Sequence, residues 1–462
     1  MNPAHHIIRA SVIALIVSLA GLAQAESSDS ARIKELENKL ERSLELIDQL
    51  SLKISKIEQT NASARASQTQ ATKQEPGAIT AMEHHGSEIG NTVTNSSTNA
   101  GLPLHGFVDV GLSRSGEDNV TKKGRKGAAV GTVDLYLAPQ FSDHVKALIE
   151  GVFENDGSGN FDAEIERLQI GYSFSDAITV WGGRFHTPFG YWNTAYHHGA
   201  QLQTSILRPQ FLEFEDKGGI LPAHTVGGWL TGTMRTNSGK FGYDAYIGNA
   251  PKITDTAIGS PLAAASPTGF SAVVNLGTYA GSGTINPQQG ASASHRSSLG
   301  FNAWFEPTAV NGLRLGLHGL RTEVLDDSAN INRTLVKMLG GYFFLSKDRW
   351  EVISEYYLFR NQDRNGRTGP HRSWAGYTQL AYNIGDWTPF VRAERAKLDQ
   401  TDNYFGVLTG GRSYQRVSGG LRYDVAPSAA LKFEFLGTRK EDLGPGVTDS
   451  YSELLLQYAI RF

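Results

Sequence analysis

From Leu104 to Phe462 the hydrophobic pattern has a period of two, and this constrains the fold more than anything else in the chain. In the final segment Phe462, Ile460, Tyr458, Leu456 and Leu454 fall on one face, and Arg461, Ala459, Gln457 and Glu453 fall mostly on the other. Leu431, Phe433 and Phe435 alternate in the same way with Lys432 and Glu434, and Leu313, Leu315 and Leu317 with Arg314 and His318. One apolar face and one charged face describe a strand standing between hydrocarbon and water. A soluble β-sandwich also alternates, with its apolar face turned inward instead.

The links between segments separate the two cases. Sixteen alternating segments are expected, at 104–114, 129–138, 143–154, 162–174, 177–186, 223–235, 240–250, 294–306, 311–323, 333–346, 348–360, 371–384, 387–399, 412–425, 428–439 and 451–462. Links after even-numbered segments are short, such as Ser175-Asp176 and Ala426-Pro427, whereas those after odd-numbered segments grow long, as at 187–222 and 251–293. Tight turns at one end and long loops at the other are the mark of a transmembrane barrel. The expected fold is therefore all-β, a sixteen-stranded antiparallel transmembrane β-barrel over 104–462, preceded by a short coiled-coil helix. The 51 glycines and the many Tyr and Phe fit this: glycine lets strands bend, and aromatic residues gather at membrane interfaces. Trp181, Trp304, Trp350, Trp374 and Trp387 are expected in such girdles.

The segment before the barrel has three parts. Residues 1–25 read as a signal peptide, with Arg9, an uncharged apolar stretch from Ala10 to Leu22 and the small-x-small site Ala23-Gln24-Ala25. Residues 26–60 contain heptads, with Ile33, Leu40, Ile47 and Ile54 at a and Leu36, Leu50 and Ile57 at d, Ser43 completing the seam. A coiled coil needs partners, so self-association follows, although mixed Ile and Leu do not choose between dimer and trimer. Residues 61–103 are polar and small and read as a flexible linker. An even strand count puts both barrel ends on one side of the membrane, with the coiled coil in the periplasm.

Composition excludes other classes. The absence of cysteine removes thiol nucleophiles and cysteine-ligated metals, and a net charge of −3 argues against nucleic acid as a partner. No Gly-x-Ser-x-Gly elbow or comparable constellation marks an enzyme. No cofactor is expected, and no metal: His84-His85 lies in the polar linker, and the adjacent His197-His198 cannot easily share one ion without distant partners.

With these features the chain resembles the Gram-negative outer-membrane porins. The likeness rests on the signal peptide, the sixteen strands, the last strand YSELLLQYAIRF and the segment Gly183-Arg-Phe-His-Thr-Pro-Phe-Gly190, similar to the place where the fifth porin strand enters the third loop. The N-terminal coiled coil is similar to that of phosphate-selective and dicarboxylate-type trimeric porins. The resemblance implies a homotrimer in the outer membrane, in contact with lipid and lipopolysaccharide. It also implies an assembly signal at Tyr458, Ile460 and Phe462, read by the barrel-assembly machinery, and a third loop that narrows the lumen for small solutes. Here that loop is 187–222, and its charged candidates are His197, His198, Arg208, Glu213, Glu215, Asp216 and Lys217, with Arg184 and His186 beside them on the fifth strand. Predicted inward acids and bases nearly balance, so neither anion nor cation preference follows. A barrel sheathing an electron-transfer complex, or a surface adhesin, stand as the alternatives.

Overall fold

The computed structural model describes residues 104–115, 126–155, 161–197, 199–214, 219–256, 273–277, 296–326, 332–406, 408, 410–441 and 449–462. The expected signal peptide, the heptad residues and the linker lie outside the described residues.

Eighteen strands follow one another: β1 (Leu104–Ser115), β2 (Lys126–Leu137), β3 (Val145–Asn155), β4 (Phe161–Ser175), β5 (Ile178–His186), β6 (His224–Thr236), β7 (Gly239–Asn249), β8 (Lys252–Thr256), β9 (Val273–Gly277), β10 (Ser297–Pro307), β11 (Leu313–Asp326), β12 (Asn332–Lys347), β13 (Trp350–Asp363), β14 (Pro370–Tyr382), β15 (Trp387–Lys397), β16 (Tyr414–Ala426), β17 (Ala429–Lys440) and β18 (Asp449–Arg461). Strands β8 and β9 pair only with each other apart from two residues of β11, so they form a hairpin outside the main sheet. The other sixteen make a closed antiparallel barrel, in which β7 pairs with β10 and β1 with β18. All sixteen expected segments are present. The hairpin, inside the expected loop 251–293, is the addition.

Closure leaves no unpaired edge, which is what a strand needs where no water can satisfy its backbone. At the seam Gly106 and Phe462 exchange two backbone hydrogen bonds of 3.0 Å. The links 176–177, 237–238, 348–349 and 427–428 have two residues each, and all lie at the end of the barrel that holds both Leu104 and Phe462. The long links 187–223 and 250–296 lie at the other end.

The alternation resolves into two environments. Ile170, Phe174, Leu317, Val391 and Val417 are each more than half exposed on the outer face, a surface made for hydrocarbon. The alternate positions point inward and are buried, among them Glu355, Arg392, Glu394, Lys432 and Glu434.

The aromatic residues divide differently from the expectation. Trp350 and Trp387 are exposed beside the short turns, Trp350 edge-on to Tyr382 and Trp387 tilted against Tyr423 of the neighbouring strands, and form an interfacial girdle at that end. Trp181 and Trp304 are instead buried on the inner face, each directly opposite a glycine of the adjacent strand, Gly171 and Gly242. Tyr246 opposes Gly300, Tyr342 opposes Gly316 and Phe390 opposes Gly420 in the same way. A Cβ on Gly242 would lie 2.0 Å from the Trp304 ring, and one on Gly316 would lie 2.0 Å from Tyr342. Glycine and aromatic excess are thus one feature: large rings lie flat along the wall in spaces that missing side chains leave.

Candidate functional site: the segment inside the barrel

The link 187–223 begins where alternation in β5 breaks. Gly183 has φ 133°, and a Cβ there would meet the Leu168 carbonyl oxygen at 2.1 Å. Beyond this kink Arg184 and Phe185 are both buried, and the chain turns inward. A single helical turn, α1 (Trp192–Ala195), follows, and later a 3-10 turn at Gln210–Leu212.

The segment carries its own apolar anchor. Phe189, Tyr191, Trp192, Phe211 and Leu212 pack with Tyr342, Tyr357, Tyr377 and Tyr414 of the wall in one buried cluster. Tyr191 stacks on Phe344 with ring centroids 4.2 Å apart. Burial pushes the Tyr191 and Tyr196 phenols well above their ordinary value, so both stay neutral.

The main chain is held by charge. The Glu355 carboxylate accepts the Tyr191 and Trp192 backbone N–H groups at 3.0 and 2.7 Å and the Tyr357 and Tyr377 hydroxyls at 2.7 and 2.6 Å. Glu434 accepts the N–H groups of Ile206 and Leu207 at 2.7 and 2.9 Å, and Glu394 that of Gln210 at 2.8 Å. Basic side chains take the carbonyls: Arg392 donates to Leu207 O at 2.8 Å, Arg422 to Gln201 O and Gln203 O at 2.5 and 3.0 Å, and Lys432 to Ala200 O. Arg392 is also paired with Glu394 at 2.9 Å and Glu434 at 3.4 Å. A segment without regular structure leaves many backbone groups unpaired, and ionised side chains satisfy these more strongly than neutral ones. Acids and bases nearly balance on this wall because N–H and C=O groups need both kinds of partner.

A second link contributes from above. In 398–413, Tyr404, Phe405 and Leu408 are buried, and the Tyr404 hydroxyl donates to Ile220 O at 2.6 Å. Burial raises the Asp402 carboxyl, against the hydrogen bonds that it accepts from the Tyr404 N–H and Asn361.

Of the residues expected to filter solutes, Arg184, His186, His197 and Arg208 come together where the segment leaves the wall. Arg184 Nε donates to Glu166 O at 3.1 Å, His186 lies 3.2 Å from Glu150, and Arg208 donates to His197 O at 3.2 Å while its guanidinium sits 3.7 Å from the Phe214 ring centroid. His197, Arg184 and Arg208 are buried, and Glu213 is half-buried. His198, Glu215, Asp216 and Lys217 lie outside the described residues. Sequence reasoning overlooked Glu166, Asn193 and His224 at this place. His224 was within reach of it, since the first residue of β6 must oppose His186, the last of β5. Glu166, His186, His197 and His224 are also the described residues whose ligand atoms converge enough to hold a metal.

No protein-family model and no curated protein matches the sequence. Among solved structures, an anion-selective porin from Comamonas acidovorans superposes with a TM-score of 0.50 at 10% identity, covering 78% of this chain and 99% of that one. The fold is that of a porin. Two further similarities to this porin fold are weaker: the trimer form of the outer-membrane protein OmpT of Vibrio cholerae, with a TM-score of 0.47 at 10% identity over 78% of this chain and 98% of that one, and Salmonella typhi OmpF in complex with daunomycin, with 0.45 at 10% over 78% and 97%.

Proposed function

We propose that the chain is an outer-membrane channel through which small hydrophilic solutes or ions diffuse passively, narrowed by the infolded segment 187–223. The supporting observation is the clamp: Glu355, Glu394, Glu434, Arg392, Arg422 and Lys432 fix the backbone of that segment across the inner wall. Fixed charge and a fixed constriction select by size and by the hydration that a solute must shed. In this reading Arg184, His186, His197 and Arg208 set the root of the constriction, and Glu213, His198, Glu215, Asp216 and Lys217 are the further residues that filter solutes. No catalytic role is assigned. A barrel clamped from within is poorly suited to sheath a second protein, which argues against the electron-transfer alternative.

The further elements of the reading are a periplasmic coiled coil at Ile33, Leu36, Leu40, Ile47, Leu50, Ile54 and Ile57 that supports a homotrimer, lipid and lipopolysaccharide around the barrel, and an assembly signal at Tyr458, Ile460 and Phe462. Tyr458 and Phe462 support the last of these by facing outward, more than a third exposed, next to the seam.

Planar-bilayer recording of the purified, folded protein tests the proposal. Stepwise openings that shut in groups of three are expected, and a folded protein that passes no current would refute it.

A further inference from the structure

Four potential metal ligands meet at the root of the infolded segment. His186 ends β5 and His224 begins β6, directly opposed in register. His197 arrives from the segment between them, and Glu166 from β4. One ligand atom from each lies within 4.8 Å of the others, and three of the four residues are buried.

The spacing is that of ligands around an ion. His197 Nε2 and His224 Nε2 are 3.1 Å apart. Two nitrogens on a tetrahedral Zn2+ with arms of about 2.05 Å stand roughly 3.3 Å from each other. The same His224 Nε2 lies 2.5 Å from a Glu166 carboxylate oxygen, so a single ring nitrogen faces both partners. The His186 and His197 rings stack with centroids 3.3 Å apart and planes at 16°, closer than the ~4.5–7 Å usual for aromatic pairs.

Two supports orient His197. Its Nδ1 lies 3.1 Å from Asn193 Oδ1, one helical turn earlier, which leaves Nε2 turned toward His224. A histidine ligand is ordinarily fixed through its other ring nitrogen in this way. His197 also has φ 23°, a left-handed backbone that costs a non-glycine residue ~1–3 kcal/mol and collects at ligand-holding positions. The charged neighbours of the cluster are paired: Glu150 with Arg167, and Arg184 4.0 Å from Glu166.

We propose that His186, His197, His224 and Glu166 form a site for a divalent transition metal of the Zn2+ class, which staples the infolded segment to the wall. Imidazole and carboxylate donors suit zinc, copper and nickel, whereas calcium and magnesium take oxygen. Four protein ligands make a closed, structural site with no position left for substrate. The proposal stands apart from the channel reading, because metal binding is measured without current.

The full chain, folded in detergent and stripped with chelator, is titrated with Co2+ and then with Zn2+. The wild type is expected to take one Co2+ per chain with the intense visible absorption of tetrahedral coordination, displaced by Zn2+. His197→Ala and His224→Ala should each abolish the absorption and lower Zn2+ affinity by more than ~100-fold, and Asn193→Ala should lower it by ~10–100-fold. His144→Ala, exposed in the turn between β2 and β3, should change nothing. Heat-modifiable gel migration reports folding of each variant, and Glu166→Gln replaces any that does not fold. A wild type without tetrahedral Co2+ absorption, or variants that bind as the wild type does, would overturn the site.

Discussion

At the scale of single residues, the inner wall is organised by opposed pairs of glycine and ring. Each pair is a packing unit whose halves sit on neighbouring strands, so their energies are coupled. Gly316→Val places atoms where the Tyr342 ring lies, and overpacking of this kind costs ~1–3 kcal/mol. The urea midpoint for unfolding from lipid vesicles should fall accordingly, and Gly316→Val combined with Tyr342→Leu should recover part of the loss. Additive losses would show that the two do not act as a pair. The composition hinted at this scale without resolving it. Both halves were visible as excess, but the pairing depends on register, and a slip of one residue exchanges every inner side chain for an outer one.

At the scale of elements, the strands were legible and their tertiary contacts were not. All sixteen barrel strands follow from alternation, because lipid on one side and polar contents on the other impose opposite demands on successive residues. Strands β8 and β9 escaped notice: five residues each are too few for a periodic signal in a stretch rich in Gly, Ser, Ala and Thr. The inward position of Glu434 could be read from the sequence. Its bonds to Ile206 and Leu207 could not, since they join residues 228 and 227 apart through the closure of the barrel. The convergence of His186, His197 and His224 was half legible, through the opposed ends of β5 and β6. The third ligand depended on the path of the link itself. Glu434→Ala removes the acceptor of two backbone N–H groups, those of Ile206 and Leu207, and leaves Arg392 short of a carboxylate. Breaking a buried pair of this kind costs ~3–5 kcal/mol. The variant channel should conduct more per opening and with more noise, since the constriction loses a fixed point. Unchanged single-channel current would mean that Glu434 does not hold the constriction.

At the scale of the whole molecule, the barrel closes on itself through β1 and β18 and needs no neighbour to complete its sheet. In the proposed reading, trimer formation belongs to a separable element. Deletion of residues 31–60 should leave heat-modifiable, folded barrels while shifting the population from trimer toward monomer, as read by light scattering in detergent. A trimer of undiminished stability would remove that role from the heptads. If the deletion yields folded monomers, the two functions are divided along the chain, association before the barrel and permeation within it.

The clamp has a consequence for how such a channel changes over generations. At Ala200, Gln201, Gln203, Ile206, Leu207 and Gln210 the wall grips amide and carbonyl groups that every amino acid except proline supplies in full. The fastening is thus indifferent to much of what it fastens. Side chains along the insert can be exchanged, and the diet of the channel retuned, while the frame that carries it stays as it is.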